Sequence, residues 1–164
     1  MASENKFANL KMKRVFPYCI KNLVDISKIL NACGKDMSMK YGLNHWNNPL
    51  LKSFIIVCLC ALKNKMYLVL EENKPVATYQ IRILDRELFF EKLAVLPCAE
   101  GKGYGAYCMK QIEQEAILLD LKKVKMEVYD KSENAIGFYI HQGYKKVAKN
   151  KTLKYTDIIM EKEL

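Results

Sequence analysis

Three glycines alternate at positions 101, 103 and 105, in the run LAVLPCAEGKGYGAYCMKQIEQEA, between an apolar stretch and an amphipathic one. Glycine at such spacing lets successive backbone N–H groups approach an anion with no Cβ in the way, and the dipole of a following helix adds favourable potential. A phosphate is the natural occupant; a tight loop whose glycines only accommodate positive φ explains the same residues. The triphosphate pattern GxxxxGK[ST] is absent. The dinucleotide pattern GxGxxG/A is met in form by Gly101, Gly103 and Ala106, with Glu127 further on. In that fold, however, the glycines follow the strand directly and open the domain, whereas here PCAE intervenes and other strands come first.

Other reactive side chains are isolated. Cys98 lies close to the glycines and invites covalent catalysis, but it has no supported histidine partner. Cys108 reads as helix packing and His141 as an exposed residue at a helix end. His45 and Trp46 are candidates to line an acceptor pocket, with core packing or a loop anchor as the alternative. No CxxC occurs and neither histidine has a Cys or His at ligand spacing, so no metal is expected.

The elements around these residues follow from periodicity. MKRVFPY reads as a strand, and Leu23, Ile26, Ile29 and Leu30 mark a helix expected to end before Gly34. A polar, aromatic stretch then leads to a buried helix from Pro49 to about Leu62, although Ile55, Ile56 and Val57 leave a strand open there. Two β-rich runs flank EENK as a hairpin, and ELFFEKLAVL adds a third strand with Phe89, Glu91, Leu93 and Val95 on one face. After the glycines, Met109, Ile112, Ala116 and Leu119 form one helical face. The strand KVKMEVY should then lie parallel to the one before the glycines, through a right-handed crossover. Ser132 can cap a helix carrying Ala135, Phe138 and Tyr139, with Gly143 placed to stop it, and two strands close the chain.

Two blocks of this pattern resemble the GNAT superfamily of acetyl-CoA-dependent N-acetyltransferases. LAVLPCAEGKGYG is similar to its pyrophosphate loop, a strand ending in Val, a Pro two residues later, then [QR]xxGxG/A, with Gly103 and Gly105 as the required glycines and Glu100 in the usual Gln or Arg position. A carboxylate near phosphates is unfavourable, so Glu100 is a departure that weakens binding. MEVYDKSENAIGFYIHQGYKK is similar to the C-terminal signature, with Ala135, Phe138, Tyr139, Gly143 and Tyr144 in register and Ser132 replacing the usual asparagine.

The resemblance implies an α+β, acyl-CoA N-acyltransferase fold: a mixed, mostly antiparallel sheet of about six to seven strands with one parallel splayed pair, flanked by about four helices. It implies an acetyl-CoA cosubstrate, with Leu93, Ala94, Val95, Glu100, Gly101, Lys102, Gly103, Tyr104, Gly105, Ala106, Ser132, Asn134 and Tyr139 as binding residues. Backbone groups of Leu93 to Val95 would pair with the pantetheine arm. Tyr139 matches the family tyrosine that protonates the leaving thiolate. Glu127 matches the strand carboxylate that serves some members as base, and Glu91, on the face of Leu93 and Val95, is the second candidate. A coenzyme A binding module without turnover is the alternative that Glu100 and Ser132 keep open.

Bulk properties bound the rest. The chain has 164 residues, 51% hydrophobic and 27% charged, which fits a single domain over residues 1–164. No apolar h-region opens the sequence, and the longest apolar run, Phe54 to Leu62, is about half of what a bilayer requires. Six cysteines without secretory signals read as reduced thiols in a cytoplasm. A net charge of +9, with local lysine density at Lys122, Lys123 and Lys125 and from Lys145 to Lys154, fits attraction to a polyanion or a lysine-rich solvated surface; the lack of a basic tail and of a recognition motif favours the second over nucleic acid. The expected partners are an amine acceptor, small molecule or protein terminus, with acidic or neutral acceptors favoured over polycations, no membrane, and a homodimer left open.

Overall fold

The computed structural model describes residues 7–44 and 46–164. Leu10–Val15 form strand β1, and the apolar spacing at Leu23, Ile26, Ile29 and Leu30 builds helix α1, Ile20–Tyr41. This helix does not stop at Gly34. That glycine is buried within α1 because the backbone of Trp46 passes against it: a methyl group built on Gly34 would sit 2.2 Å from the Trp46 carbonyl oxygen. Close approach, not termination, is what requires glycine here.

Helix α2, Leu50–Lys63, follows Pro49, so the β-branched run Ile55, Ile56, Val57 is helical. Ser53, Val57 and Ala61, four residues apart, form its buried stripe, and their small size lets α2 pack closely on α1. Only that face is buried, which corrects the expectation of a buried helix: Leu51, Ile55, Leu59 and Leu62 are 52–72% exposed.

Strands β2, Lys65–Glu71, and β3, Lys74–Leu84, are joined by Glu72 and Asn73, both at positive φ. Asp85 and Arg86, also at positive φ, join β3 to β4, Glu87–Val95. Two consecutive left-handed residues make each connection a two-residue hairpin turn whose twist matches that of the strands. A 3-10 turn at Pro97–Ala99 leads to helix α3, Tyr104–Leu118. Strand β5, Lys123–Tyr129, helix α4, Glu133–His141, and strands β6, Lys145–Lys151, and β7, Thr156–Glu163, complete the chain.

The strands form a seven-stranded sheet in the order β1-β2-β3-β4-β5-β7-β6. β4 and β5 are parallel and the pairs β1·β2, β5·β7 and β6·β7 are antiparallel. This is the mixed α+β arrangement expected from the sequence. The parallel ladder joins only Leu88 to Val124 and Phe89 to Lys125, although β4 continues to Val95 and β5 to Tyr129. Both edge strands are lysine-rich, LKMKRV in β1 and KKVAKNK in β6, a composition that disfavours edge-to-edge pairing with other chains.

Contacts divide the chain into two compact units. One comprises the chain up to Gln80 together with Lys92–Cys108; the other comprises Ile81–Glu91 and Met109–Leu164. In the first, Val15, Leu23, Ile26, Ile29, Leu30, Val57, Ala61, Met66 and Leu68 form a core, against which Trp46, Ala94 and Leu96 pack. In the second, Leu88, Phe90, Met109, Ile112, Ala116, Val124, Met126 and Met160 are buried. Leu119, expected on the apolar face of α3, lies beyond the end of that helix and is 41% exposed.

Candidate functional site

The first unit carries the glycine loop. Gly101 and Gly103 have φ of 76° and 90°, the left-handed region that glycine enters without a Cβ penalty. The carbonyl of Gly103 accepts the Tyr107 N–H at 3.0 Å, the first bond of α3. The amides of Gly103, Tyr104, Gly105 and Ala106 therefore precede any acceptor within the helix and mark its electropositive end. Both features fit an anion held by main-chain donors.

Tyr104 anchors the start of α3. Its hydroxyl donates to Glu71 at 2.5 Å, at the end of β2, and the side chain is buried. That hydrogen bond to a carboxylate, with burial second, pushes the phenol from 10.0 up to about 12. The folded chain thus keeps a proton that the unfolded chain releases near pH 10. The linked stability is whole below pH 10 and disappears as pH rises from 10 to about 12. We expect the melting temperature to fall across that window, and Tyr104→Phe to flatten the fall; an identical alkaline limb in both proteins would refute the linkage.

Glu100 is not isolated beside the loop. Its carboxylate lies 3.5 Å from the ammonium of Lys40, which also pairs with Asp36 at 2.8 Å. Lys40 and Glu100 are exposed and screened by water, yet the pair brings a cation to a position where the carboxylate alone would oppose phosphates. The end of β4 is tied down as well: the Cys33 thiol donates to the Val95 carbonyl at 3.0 Å, and the Leu96 N–H donates to the Val76 carbonyl at 2.9 Å. Burial, aided by Glu100 and Asp36, pushes the Cys33 thiol up to about 12, and burial does the same to Cys108, so neither is a nucleophile at neutral pH.

Lys92 has φ of 52° within β4, and its ammonium stands 5.7 Å from the centre of the Trp46 ring. A left-handed residue inside a strand acts as a bulge and shifts the alternation of side chains. The two-residue period that would put Glu91, Leu93 and Val95 on one face is therefore broken at Lys92. Trp46 packs on the core of the first unit, consistent with a loop anchor. His45, the other candidate for an acceptor pocket, lies outside the described residues.

The second unit carries the proton-transfer candidates. Tyr139, on α4, is 7% exposed, with Phe90 at 5.8 Å, Phe138 at 5.2 Å and Tyr144 at 6.2 Å between ring centres. Three aromatic neighbours fix the ring plane. The parallel ladder ends at Phe89↔Lys125, two residues before Glu91 on one strand and Glu127 on the other. Glu91 is engaged by Arg82 at 3.3 Å, whose guanidinium also lies over Phe89. Glu127 is exposed and accepts a hydrogen bond from Asn150 at 3.3 Å.

Ser132 occupies the N-cap of α4, but its side chain makes no capping hydrogen bond, contrary to the sequence expectation. With ψ at 64° it lacks the extended backbone that aims a cap hydroxyl at the first helical amides. Ser132 is buried and Asn134 exposed. The bulge at Lys92, the Lys40 partner of Glu100, the Cys33 tie and the Asn150 bond to Glu127 were not legible in local spacing, because each joins distant parts of the chain or, for Lys92, puts a residue type in a conformation it seldom adopts.

Three comparisons bear on this arrangement. Residues 33–144 match the family model described as acetyltransferase (GNAT) family. No curated protein matches the sequence. Among solved structures, PaiA N-acetyltransferase from Thermoplasma acidophilum, in complex with coenzyme A, superposes with a TM-score of 0.77 at 12% identity, over 94% of this chain and 99% of that one. The ribosomal-protein-S18-alanine N-acetyltransferase from Escherichia coli gives a TM-score of 0.71 at 12% identity, over 94% and 93%. An acetyltransferase from Streptococcus agalactiae gives 0.72 at 18%, over 96% and 100%. At these identities the likeness is one of fold.

Proposed function

Because the chain belongs to the GNAT acetyltransferase family, we propose that it transfers the acetyl group of acetyl-CoA to a primary amine by direct attack. The observation that carries the reading is the left-handed pair Gly101 and Gly103 before α3, in the stretch that resembles the family's pyrophosphate loop, where the first amides of the helix have no acceptor within it. Glu100 to Ala106 hold the diphosphate chiefly through N–H groups. Leu93, Ala94 and Val95 offer backbone to the pantetheine arm, and Ser132, Asn134 and Tyr139 complete the cofactor contacts.

An alkylammonium has a pKa of about 10.4, so only about one molecule in a thousand is a nucleophile at neutral pH. A base removes that proton, directly or through water; the nitrogen bonds the acetyl carbon, the adduct gives up a second N–H proton to water, and the carbon–sulfur bond breaks to leave the amide and the thiolate. Glu127 is the preferred base, since Arg82 occupies the Glu91 carboxylate. Tyr139 supplies the proton to the departing thiolate.

The test is acetyl-CoA-dependent thiol release across a panel of amines, with amino acids, small alkylamines and peptides carrying free N-termini. Turnover with at least one amine is expected; acetyl-CoA binding without release on any of them would leave only a binding module. Calorimetry examines the loop separately. Gly103→Ala forces a Cβ into φ of 90°, and we expect it to raise the Kd for coenzyme A roughly tenfold. An unchanged Kd would remove the loop from the site.

A further inference from the structure

Helix α2 presents an apolar ridge that nothing in its own unit covers. Leu51, Ile55, Leu59 and Leu62 are 72%, 52%, 55% and 69% exposed. Their spacing of four, four and three residues puts them within about 80° of one helix face. Lys52 and Lys63 border the ridge and α2 contains no acidic residue. On α1, which packs beside it, Lys21, Lys28 and Lys35 recur every seven residues on the exposed face, in line with Met39, which is 79% exposed, and with the half-buried Asp25 among them. The carboxylates of this unit that form pairs are engaged elsewhere: Asp36 and Glu100 with Lys40, Glu71 with Tyr104.

Single exposed leucines are ordinary, but four aligned on one helix and bordered by Lys52 and Lys63 combine two attractions of different range. Aliphatic side chains gain by leaving water, and the lysines gain from a dense array of negative charge. We propose that the α2 ridge, with α1 beside it, docks the protein on an anionic lipid bilayer, with α2 lying in the headgroup plane and its lysines among the phosphates. No helix among the described residues is long and apolar enough to cross a membrane, so the mode is association from one side. An identical copy seated on the ridge would bring a second set of the same lysines to its border, where lipid phosphates bring the opposite charge. The inference departs from the sequence expectation of no membrane partner, which rested on the length of the apolar run and not on its exposure.

Co-sedimentation of the full chain with phosphatidylcholine vesicles, with and without phosphatidylglycerol, tests it. Binding is expected to the anionic vesicles only and to weaken with added salt. The double variant Leu51→Ser and Leu59→Ser should lower the partition coefficient roughly tenfold or more. Because these positions are exposed, thermal unfolding should remain cooperative. The variant carrying Lys21→Gln, Lys28→Gln, Lys52→Gln and Lys63→Gln should lose the preference for anionic lipid by a separate route. The proposal is overturned by failure to bind anionic vesicles, by equal binding to both compositions, by undiminished binding of the serine variant, or by a concentration-dependent dimer that forms through the ridge and leaves vesicles unbound.

Discussion

Replacing Tyr139 by phenylalanine should lower kcat by about 10²-fold, the scale of a lost general acid, while changing the KM for acetyl-CoA little. The substitution removes one oxygen and keeps the ring that Phe90, Phe138 and Tyr144 surround, so the fold around α4 is left in place. A thiol of pKa about 8.5 leaves more readily when a phenol supplies its proton than when water must. Single-turnover measurements separate this loss from slow product release. If the acid role is right, the rate deficit should widen with acyl donors whose thiols are less acidic. Equal kcat in the two proteins would remove Tyr139 from the chemistry and return it to packing. Glu127→Gln provides the complementary measurement, since loss of the base should be partly rescued as rising pH deprotonates the amine in solution.

Gly34→Ala should destabilise the chain by about 3 kcal/mol, against the helix propensity that favours alanine by about 1 kcal/mol at an interior position. The added methyl would lie 2.2 Å from the Trp46 carbonyl oxygen, 2.8 Å from its carbon and 3.3 Å from the Asn47 Cα. All three are backbone atoms, so no side-chain rotation relieves the overlap. The segment cannot simply lift away, because Asn31, one turn earlier on α1, donates to the Asn48 carbonyl at 2.7 Å. For a chain of this size the loss corresponds to a fall in Tm of roughly 6–12 °C. Calorimetry on the two proteins decides the sign. A variant as stable as the parent, or more so, would mean that propensity outweighs contact and that Trp46 does not lie against α1.

Helices α3 and α4 were legible in the sequence because their burial repeats at helical spacing: Met109, Ile112 and Ala116 in the first, Ile136 and Tyr139 in the second. The loop between β4 and α3 was legible for another reason, since left-handed backbone such as that of Gly101 and Gly103 constrains residue type locally. The same logic failed at Gly34, where the constraint comes from a segment twelve residues ahead. At the β-hairpins Glu72, Asn73, Asp85 and Arg86 adopt positive φ without glycine, so the one at EENK was legible from its flanking β-rich runs and not from its turn residues.

Charge shows the same division. Lys122, Lys123 and Lys125 read along the chain as a basic cluster, but Asp120 holds the first at 2.6 Å, and Glu87 and Glu161 hold the other two. On α1, Lys21, Lys28 and Lys35 instead lie on one exposed face, while Lys40 pairs with Asp36 and Glu100. Periodicity and residue type by themselves determined most of the element types, the mixed sheet and the glycine loop before α3, because those depend on neighbours within a few residues. Tertiary structure alone decided which carboxylates are occupied, which lysines they hold and which face of α2 meets solvent. Those outcomes depend on contacts between residues far apart in sequence, and such contacts exist only once the strands and helices have packed.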